Sequence, residues 1–233
     1  MDSIESFFSP LSHSLKICGV TLASDAEQLV SLQVPALGIN FWPQSKRYCP
    51  PEEAVVFLPA LAEQIVRVGV FVNNARENWS LLSRKNAIDI IQLHGDEDDE
   101  ELRFFLNQGI PVIRSLALQP DADLAQVSSH YQEISQSCLG SLALLLDAHA
   151  PGVYGGTGET IDWVQAAGFI QQCAPLPVLL AGGITPTNAQ EAVEVTRAAA
   201  LDVASGAESS PGKKDFAKVM ALQSATQTAP VKP

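Results

Sequence analysis

Leu144-Leu145-Leu146-Asp147 is the stretch that decides the fold. A run of leucines is a buried strand, and the carboxylate ends it. Residues 148–160 follow, and within them Tyr154-Gly155-Gly156-Thr157-Gly158 supplies a glycine-rich turn. In α/β folds built on parallel strands, an acid at the C-terminal tip of a strand stands where the chemistry is kept. Nearer the N-terminus, Leu15-Lys16-Ile17-Cys18-Gly19 repeats the pattern with a thiol. Taken singly, Asp147 reads better as a turn or cap residue and Cys18 as a small buried hydrophobe. Taken together, on separate strand tips, they suggest a general acid and a general base facing one substrate.

Outward from these two strands, short apolar runs alternate with helical patterns along the chain. Strands are predicted over 15–18, 36–40, 67–72, 88–93, 112–116, 142–146, 178–181 and 200–204. Amphipathic helices are predicted over 24–32, 51–63, 74–84, 98–108 and 187–195. Their start signals are Ser24, Pro51 with Glu52-Glu53, and Thr185-Pro186-Thr187. Such alternation implies parallel strands joined by right-handed crossovers. Eight units in 233 residues fit a single-domain (β/α)8 TIM barrel of the α/β class better than an open doubly wound sheet. Residues 1–14 are expected to be an irregular lead-in, 15–223 the barrel, and 224–233, which lack periodicity, a disordered tail.

Composition narrows the partners. Hydrophobic residues make up 46% and charged residues 17%, an ordinary globular balance. A formal net charge of -12 argues against nucleic acid or an anionic membrane surface. No apolar run approaches the ~20 residues that span a bilayer. Two acids sit in Met1-Asp2-Ser3-Ile4-Glu5-Ser6, and no lysine or arginine precedes Lys16, which fits neither a secretory signal nor a transit peptide. A cytoplasmic location is therefore expected. Cys18, Cys49, Cys138 and Cys173 form no C-x-x-C pair and are expected to be free thiols. With His13, His94, His130 and His149 scattered as well, no metal site is predicted.

The last two units carry a second signal. Val178-Leu179-Leu180 runs into Ala181-Gly182-Gly183-Ile184, and Leu201-Asp202-Val203 runs into Ala204-Ser205-Gly206. A parallel barrel places strands seven and eight side by side, so the two glycine turns become neighbours. Glycine lets backbone N–H groups approach an anion, and a short helix expected near Ser210-Pro211-Gly212 adds its positive end. Either turn alone is as readily a simple strand terminator. The two together favour a phosphate site, the usual one in barrels.

These segments resemble the phosphoribosylanthranilate isomerase family of tryptophan biosynthesis. The likeness rests on Lys16-Ile17-Cys18-Gly19-Val20-Thr21, on the run from Asn40 to Tyr48 (Asn-Phe-Trp-Pro-Gln-Ser-Lys-Arg-Tyr), on Val68-Gly69-Val70-Phe71-Val72-Asn73 and on Gln92-Leu93-His94-Gly95. It continues through Leu145-Leu146-Asp147, Gly155-Gly156-Thr157-Gly158, the two glycine turns and Pro211-Gly212-Lys213-Lys214-Asp215. The segments run in order from about Leu15 to about Met220, one at nearly every strand tip. The resemblance implies a cofactor-free Amadori rearrangement of N-(5-phosphoribosyl)anthranilate, a small phosphorylated substrate, with Cys18 as general base and Asp147 as general acid. It implies Arg47 as partner of the anthranilate carboxylate, to which a planar guanidinium is suited, although a lone loop arginine is more commonly a solvated cation. His94 is a substrate-orienting residue or a hydrogen-bonded core histidine, and Asp202 contacts a sugar hydroxyl or a neighbouring cation. Gly156, Gly182, Gly183, Ser205 and Gly206 are the implied phosphate contacts. Lys16 either lends the thiolate a positive field or forms a buried ion pair in the barrel. One departure stands out: Ala204-Ser205 replaces two serines usual in the family, which removes one hydroxyl but no backbone N–H. Three competitors remain. The sister isomerase of histidine biosynthesis carries a carboxylate at the position of Cys18 and a half-barrel repeat not found here. Indoleglycerol-phosphate synthase calls for lysines at several strand tips, where only Lys16 lies inside a predicted strand. A non-catalytic phosphate-ligand binder needs neither Cys18 nor Asp147. Monomer and homodimer are both compatible with the sequence.

Overall fold

The computed structural model describes residues 3–9, 13–117, 123–147 and 162–227. A short helix α1 (Ser3–Phe7) precedes eight strands: β1 (Ser14–Cys18), β2 (Ala36–Asn40), β3 (Val66–Phe71), β4 (Ile90–Leu93), β5 (Val112–Ala117), β6 (Leu142–Asp147), β7 (Val178–Leu180) and β8 (Ala200–Val203). All neighbours pair in parallel, and β1 pairs with β8, so the sheet closes into a barrel. Helices α2 (Ala23–Ser31), α3 (Pro51–Phe57), α4 (Ala75–Arg84), α5 (Asp99–Leu106), α6 (Leu124–Ser137), α7 (Trp163–Cys173) and α8 (Ala189–Thr196) cover it. After β8 come a 3-10 turn (Ser205–Ala207), a hairpin of β9 (Glu208–Ser210) and β10 (Lys213–Lys214), and the last helix α9 (Phe216–Gln227).

Strand alternation divides the apolar residues into two cores. Leu37, Ile39, Leu144, Leu146, Leu180 and Leu201 point outward and pack under the helices. Ala36, Val66, Val68, Ile90, Ile113, Ala143, Leu145, Leu179 and Ala200 point inward and fill the barrel's lower half. Toward the C-terminal ends of the strands, inward positions turn polar or small: Lys16, Cys18, Gly38, Asn40, Gln92, Ser115, Asp147 and Asp202. A packed floor and a polar upper layer are what one period-two pattern produces when its upper members carry chemistry.

The structure corrects several sequence expectations. The lead-in is not irregular throughout, because α1 carries Phe7 and Phe8 into the inner cluster, where they close the barrel floor. Burying one such ring contributes about 2–3 kcal/mol. The C-terminal stretch is helical as far as Gln227, with Thr226 buried; residues 228–233 lie outside the described ones. α2 begins at Ala23 with Ser24 inside it, and α8 begins at Ala189, because Asn188 accepts a hydrogen bond from the Thr185 N–H at 2.7 Å and holds 185–188 as a turn. α3 tightens into a 3-10 turn at Leu58–Leu61, where Pro59 has no N–H to continue an α-helix. Asp98, Asp123 and Asp162 cap α5, α6 and α7 through their carboxylates, a start signal unused for the latter two.

Candidate active site

One cavity of about 330 Å³ opens at the C-terminal ends of the strands. It gathers Cys18 from β1, Arg47 from the loop after β2, His94 after β4, Asp147 from β6, Gly182 and Gly183 after β7, and Asp202 and Ser205 from β8 and its turn. Residues predicted separately at six strand ends thus share one pocket. Gly156, and the loop that carries it, lie outside the described residues. A larger hollow of about 520 Å³ lies at the opposite end of the barrel, against α1 and α9, away from every one of these side chains.

The Cys18 side of the pocket is charged. Lys16, fully buried, donates from Nζ to Asp202 Oδ1 at 2.8 Å across the β1–β8 seam, where the two residues are register partners. Gly38 on β2 faces both neighbours: a Cβ there would lie 2.9 Å from Cys18 Sγ and 3.0 Å from Lys16 Nζ. The glycine is what lets the ammonium and the thiol share that corner. Burial, followed by the Asp202 charge, pushes the Cys18 thiol up, and the Lys16 and Lys214 ammonium groups pull against them. Burial alone would lower Lys16, but Asp202 and Cys18 outweigh it and its affinity for the proton is raised. Lys16 therefore fills both roles weighed for it, ion-pair partner and field on the thiol. Asp202 is tied to that cation.

Asp147 faces a different set of partners. His94 Nε2 lies 3.4 Å from Asp147 Oδ2, and its Nδ1 lies 2.7 Å from Ser115 Oγ and 3.2 Å from Gln92 Nε2. The ring thus bridges the Gln92–Ser115 corner through Nδ1 and faces Asp147 through Nε2. Gln92 Oε1 is buried and, among the described residues, has no donor. Neither Gln92 nor Ser115 was singled out from the sequence. Gln92 is legible as an inward polar residue in an apolar strand; Ser115 has no such signal.

The two glycine turns form the remaining wall. Gly182 and Gly183 hold φ of +85° and +62°, conformations that favour glycine. A Cβ on Gly206 would collide with the Ile184 carbonyl, so its missing side chain is what lets the two turns close against each other. Among the described residues, nothing accepts a hydrogen bond from the backbone N–H of Gly182, Gly183, Ser205 or Gly206. The helix expected at Ser210-Pro211-Gly212 does not form. Those residues turn the β9–β10 hairpin, with Gly212 at φ +82° and its carbonyl accepting from Thr21 Oγ1 at 2.9 Å. The hairpin's role is to deliver Glu208 and Lys214, both unassigned from the sequence. Lys214 Nζ donates to the Cys18 carbonyl at 2.5 Å and to Glu208 Oε1 at 2.7 Å. Arg47 binds the same Glu208.

The four cysteines are free thiols. Among the described residues, no group of three or more His, Cys, Asp or Glu side chains is placed to hold a metal ion.

Comparison with known proteins matches the chain to a family. The model of the family described as N-(5'phosphoribosyl)anthranilate (PRA) isomerase matches residues 15–225. The N-(5'-phosphoribosyl)anthranilate isomerase of Neisseria meningitidis is 38% identical over 207 residues, covering 89% of this chain and 93% of the relative. The crystal structure of phosphoribosyl anthranilate isomerase from Thermotoga maritima superposes with a TM-score of 0.78 at 31% identity, over 92% of this chain and 98% of that one. Another, in complex with reduced 1-(o-carboxyphenylamino)-1-deoxyribulose 5-phosphate, gives 0.76 at 30% identity over 92% and 98% of the two chains.

Proposed function

The chain belongs to the N-(5'-phosphoribosyl)anthranilate isomerase family, and from that premise we propose that it converts N-(5-phosphoribosyl)anthranilate to 1-(2-carboxyphenylamino)-1-deoxyribulose 5-phosphate in tryptophan biosynthesis. The observation that carries the assignment is the set of backbone N–H groups on two adjoining turns, uncommitted among the described residues, beside the cavity that also holds Cys18 and Asp147. They suit a phosphate in a chain of strongly negative charge, because dipoles rather than lysines supply the field.

With the phosphate held there, the sugar lies between β1 and β6. Asp147, protonated, delivers its proton to the ring oxygen; the C1–O bond breaks as the anilino nitrogen donates its lone pair, giving an open-chain imine. Cys18 as thiolate takes the C2 proton, and the electron pair moves to C1=C2 and returns the nitrogen to an amine. The enol then ketonises as its O–H proton leaves and C1 gains one. Lys16 and Lys214 favour the thiolate against burial and Asp202. His94, whose Nε2 lies 3.4 Å from Asp147 Oδ2, orients Asp147. Arg47 takes the anthranilate carboxylate. No helix among the described residues is long and apolar enough to cross a membrane, and we place the reaction in the cytosol.

The test is turnover by the purified chain in the presence of a chelator, followed by loss of anthranilate-type fluorescence. Consumption of substrate above its spontaneous hydrolysis is expected, and Cys18→Ala should reduce kcat by ~100-fold or more while leaving the fold intact. No consumption by the intact chain refutes the assignment, and undiminished turnover by Cys18→Ala removes the thiol from it.

A further inference from the structure

Arg47 is held in a way the reaction alone does not require. Its guanidinium has two usable edges: the side edge, formed by Nε and one Nη, and the end edge, formed by the two Nη groups. Glu208 occupies the side edge, accepting from Nε at 2.9 and 3.0 Å and from Nη2 at 2.7 Å. The Glu208 side chain is only 3% exposed and is itself fixed from behind by Lys214 Nζ at 2.7 Å and by the Gly212 N–H at 3.2 Å. Arg47 and Lys214 hold its carboxyl below the usual range even though burial, the largest influence, pushes it up. The clamp comes from the hairpin after β8, while Arg47 comes from the loop after β2, 161 residues away in sequence.

We infer that Glu208 is a positioning residue that turns the free end edge of Arg47 toward the cavity, and so makes the site selective for substrates bearing a planar carboxylate. The inference rests on the isomerase reading above and on Arg47 as the carboxylate's partner. Two carboxylates on one guanidinium are electrostatically acceptable here, because Arg47, Glu208 and Lys214 together carry one net positive charge. An arginine side chain left free in a loop loses rotamer freedom each time it binds an anion; one already fixed through its side edge has lost most of it beforehand.

The test compares two ligands: the reduced 1-(o-carboxyphenylamino)-1-deoxyribulose 5-phosphate and its phenylamino counterpart, which lacks only the carboxylate. Binding of each is measured by calorimetry to the intact chain and to Glu208→Gln, Arg47→Ala and the double variant. Glu208→Gln should weaken the carboxylate ligand by about 10-fold, the scale of one charge-assisted hydrogen bond, and leave the phenylamino ligand within about 2-fold. Arg47→Ala should lose at least as much selectivity, and adding Glu208→Gln to it should change nothing further. Equal weakening of both ligands by Glu208→Gln, a further loss in the Arg47→Ala background, or tighter binding of the carboxylate ligand would each overturn the inference. Selectivity that survives in Arg47→Ala removes Arg47 as the carboxylate's partner, while failure of both ligands to bind the intact chain strikes the isomerase reading itself. Should Glu208→Gln not fold, Glu208→Asp, which keeps the charge but withdraws it by one methylene, is read by the same ratio.

Discussion

Replacing Lys16 with methionine tests how the site's most buried charge is held. Lys16 Nζ sits 2.8 Å from Asp202 Oδ1, with the two side chains 0% and 7% exposed. At an effective dielectric constant of about 20, unit charges at that separation attract by about 6 kcal/mol, an upper bound from which desolvation must be subtracted. Methionine keeps the stem's packing but strands the Asp202 carboxylate, and removing one member of a buried pair costs about 3–5 kcal/mol. The expected loss is therefore at the lower end, about 3 kcal/mol, or roughly a 10 °C fall in Tm for a domain of this size. Urea denaturation followed by circular dichroism reads it directly. Lys16→Met with Asp202→Leu should regain most of that loss, since an apolar pair of similar volume leaves no stranded charge. Alkylation of Cys18 at fixed mildly alkaline pH gives an independent measure. It should slow in Lys16→Met, because the Asp202 charge then acts on the thiol unopposed by its neighbour. A single variant within about 1 kcal/mol of the parent, or a double variant no more stable than the single, would refute the electrostatic account.

Asp147→Asn keeps the side chain's size but cannot deliver a proton, so kcat should fall by ~100-fold or more in the fluorescence assay while product affinity changes little. Gly183→Val forces a β-branched side chain onto φ +62°, and should both destabilise the turn by about 1–2 kcal/mol and weaken inorganic phosphate measured as a competitive inhibitor. Unchanged inhibition would put the anion elsewhere. Stability should decline at alkaline pH, since burial pushes the Cys49 and Cys173 thiols from 9.0 up to about 11. The folded state holds those protons after the unfolded chain has released them, so the contribution is complete below pH 9.0 and is lost on the way to about 11. The urea midpoint should fall across that window, and more shallowly in Cys173→Ala.

Most of the barrel was legible because its strands are buried on both faces and bounded by helices with polar punctuation. The strand predicted from Ile88 starts instead at Ile90: the Asp89 N–H donates to the Arg67 carbonyl at 2.8 Å, but the Asp89 carboxylate, not a strand carbonyl, accepts from the Arg67 backbone N–H at 2.8 Å and from its Nη2 at 2.6 Å. That pairing also explains how an arginine sits wholly buried in β3. α1 escaped notice because five residues are too few for helical periodicity, and only the apolar pair Phe7-Phe8 hints at a buried end. In the site, residues at strand tips were found because position alone marks them. Glu208 and Lys214 were not, because their roles exist only through partners 161 and 196 residues away, and no local spacing encodes such a contact.

The seam between β1 and β8 sets the order in which a newly made chain becomes functional. Lys16 to Asp202, Thr21 to Gly212 and Cys18 to Lys214 are separated by 186, 191 and 196 residues. At ribosomal speeds of 5–20 residues per second, β8 follows β1 by roughly 10 to 40 s. Throughout that interval the first strand has one unpaired edge, the kind of feature that makes an incomplete chain prone to aggregation. The thiol's surroundings are completed by the same late contacts that shut the barrel, so partly synthesised chains have no half-active form.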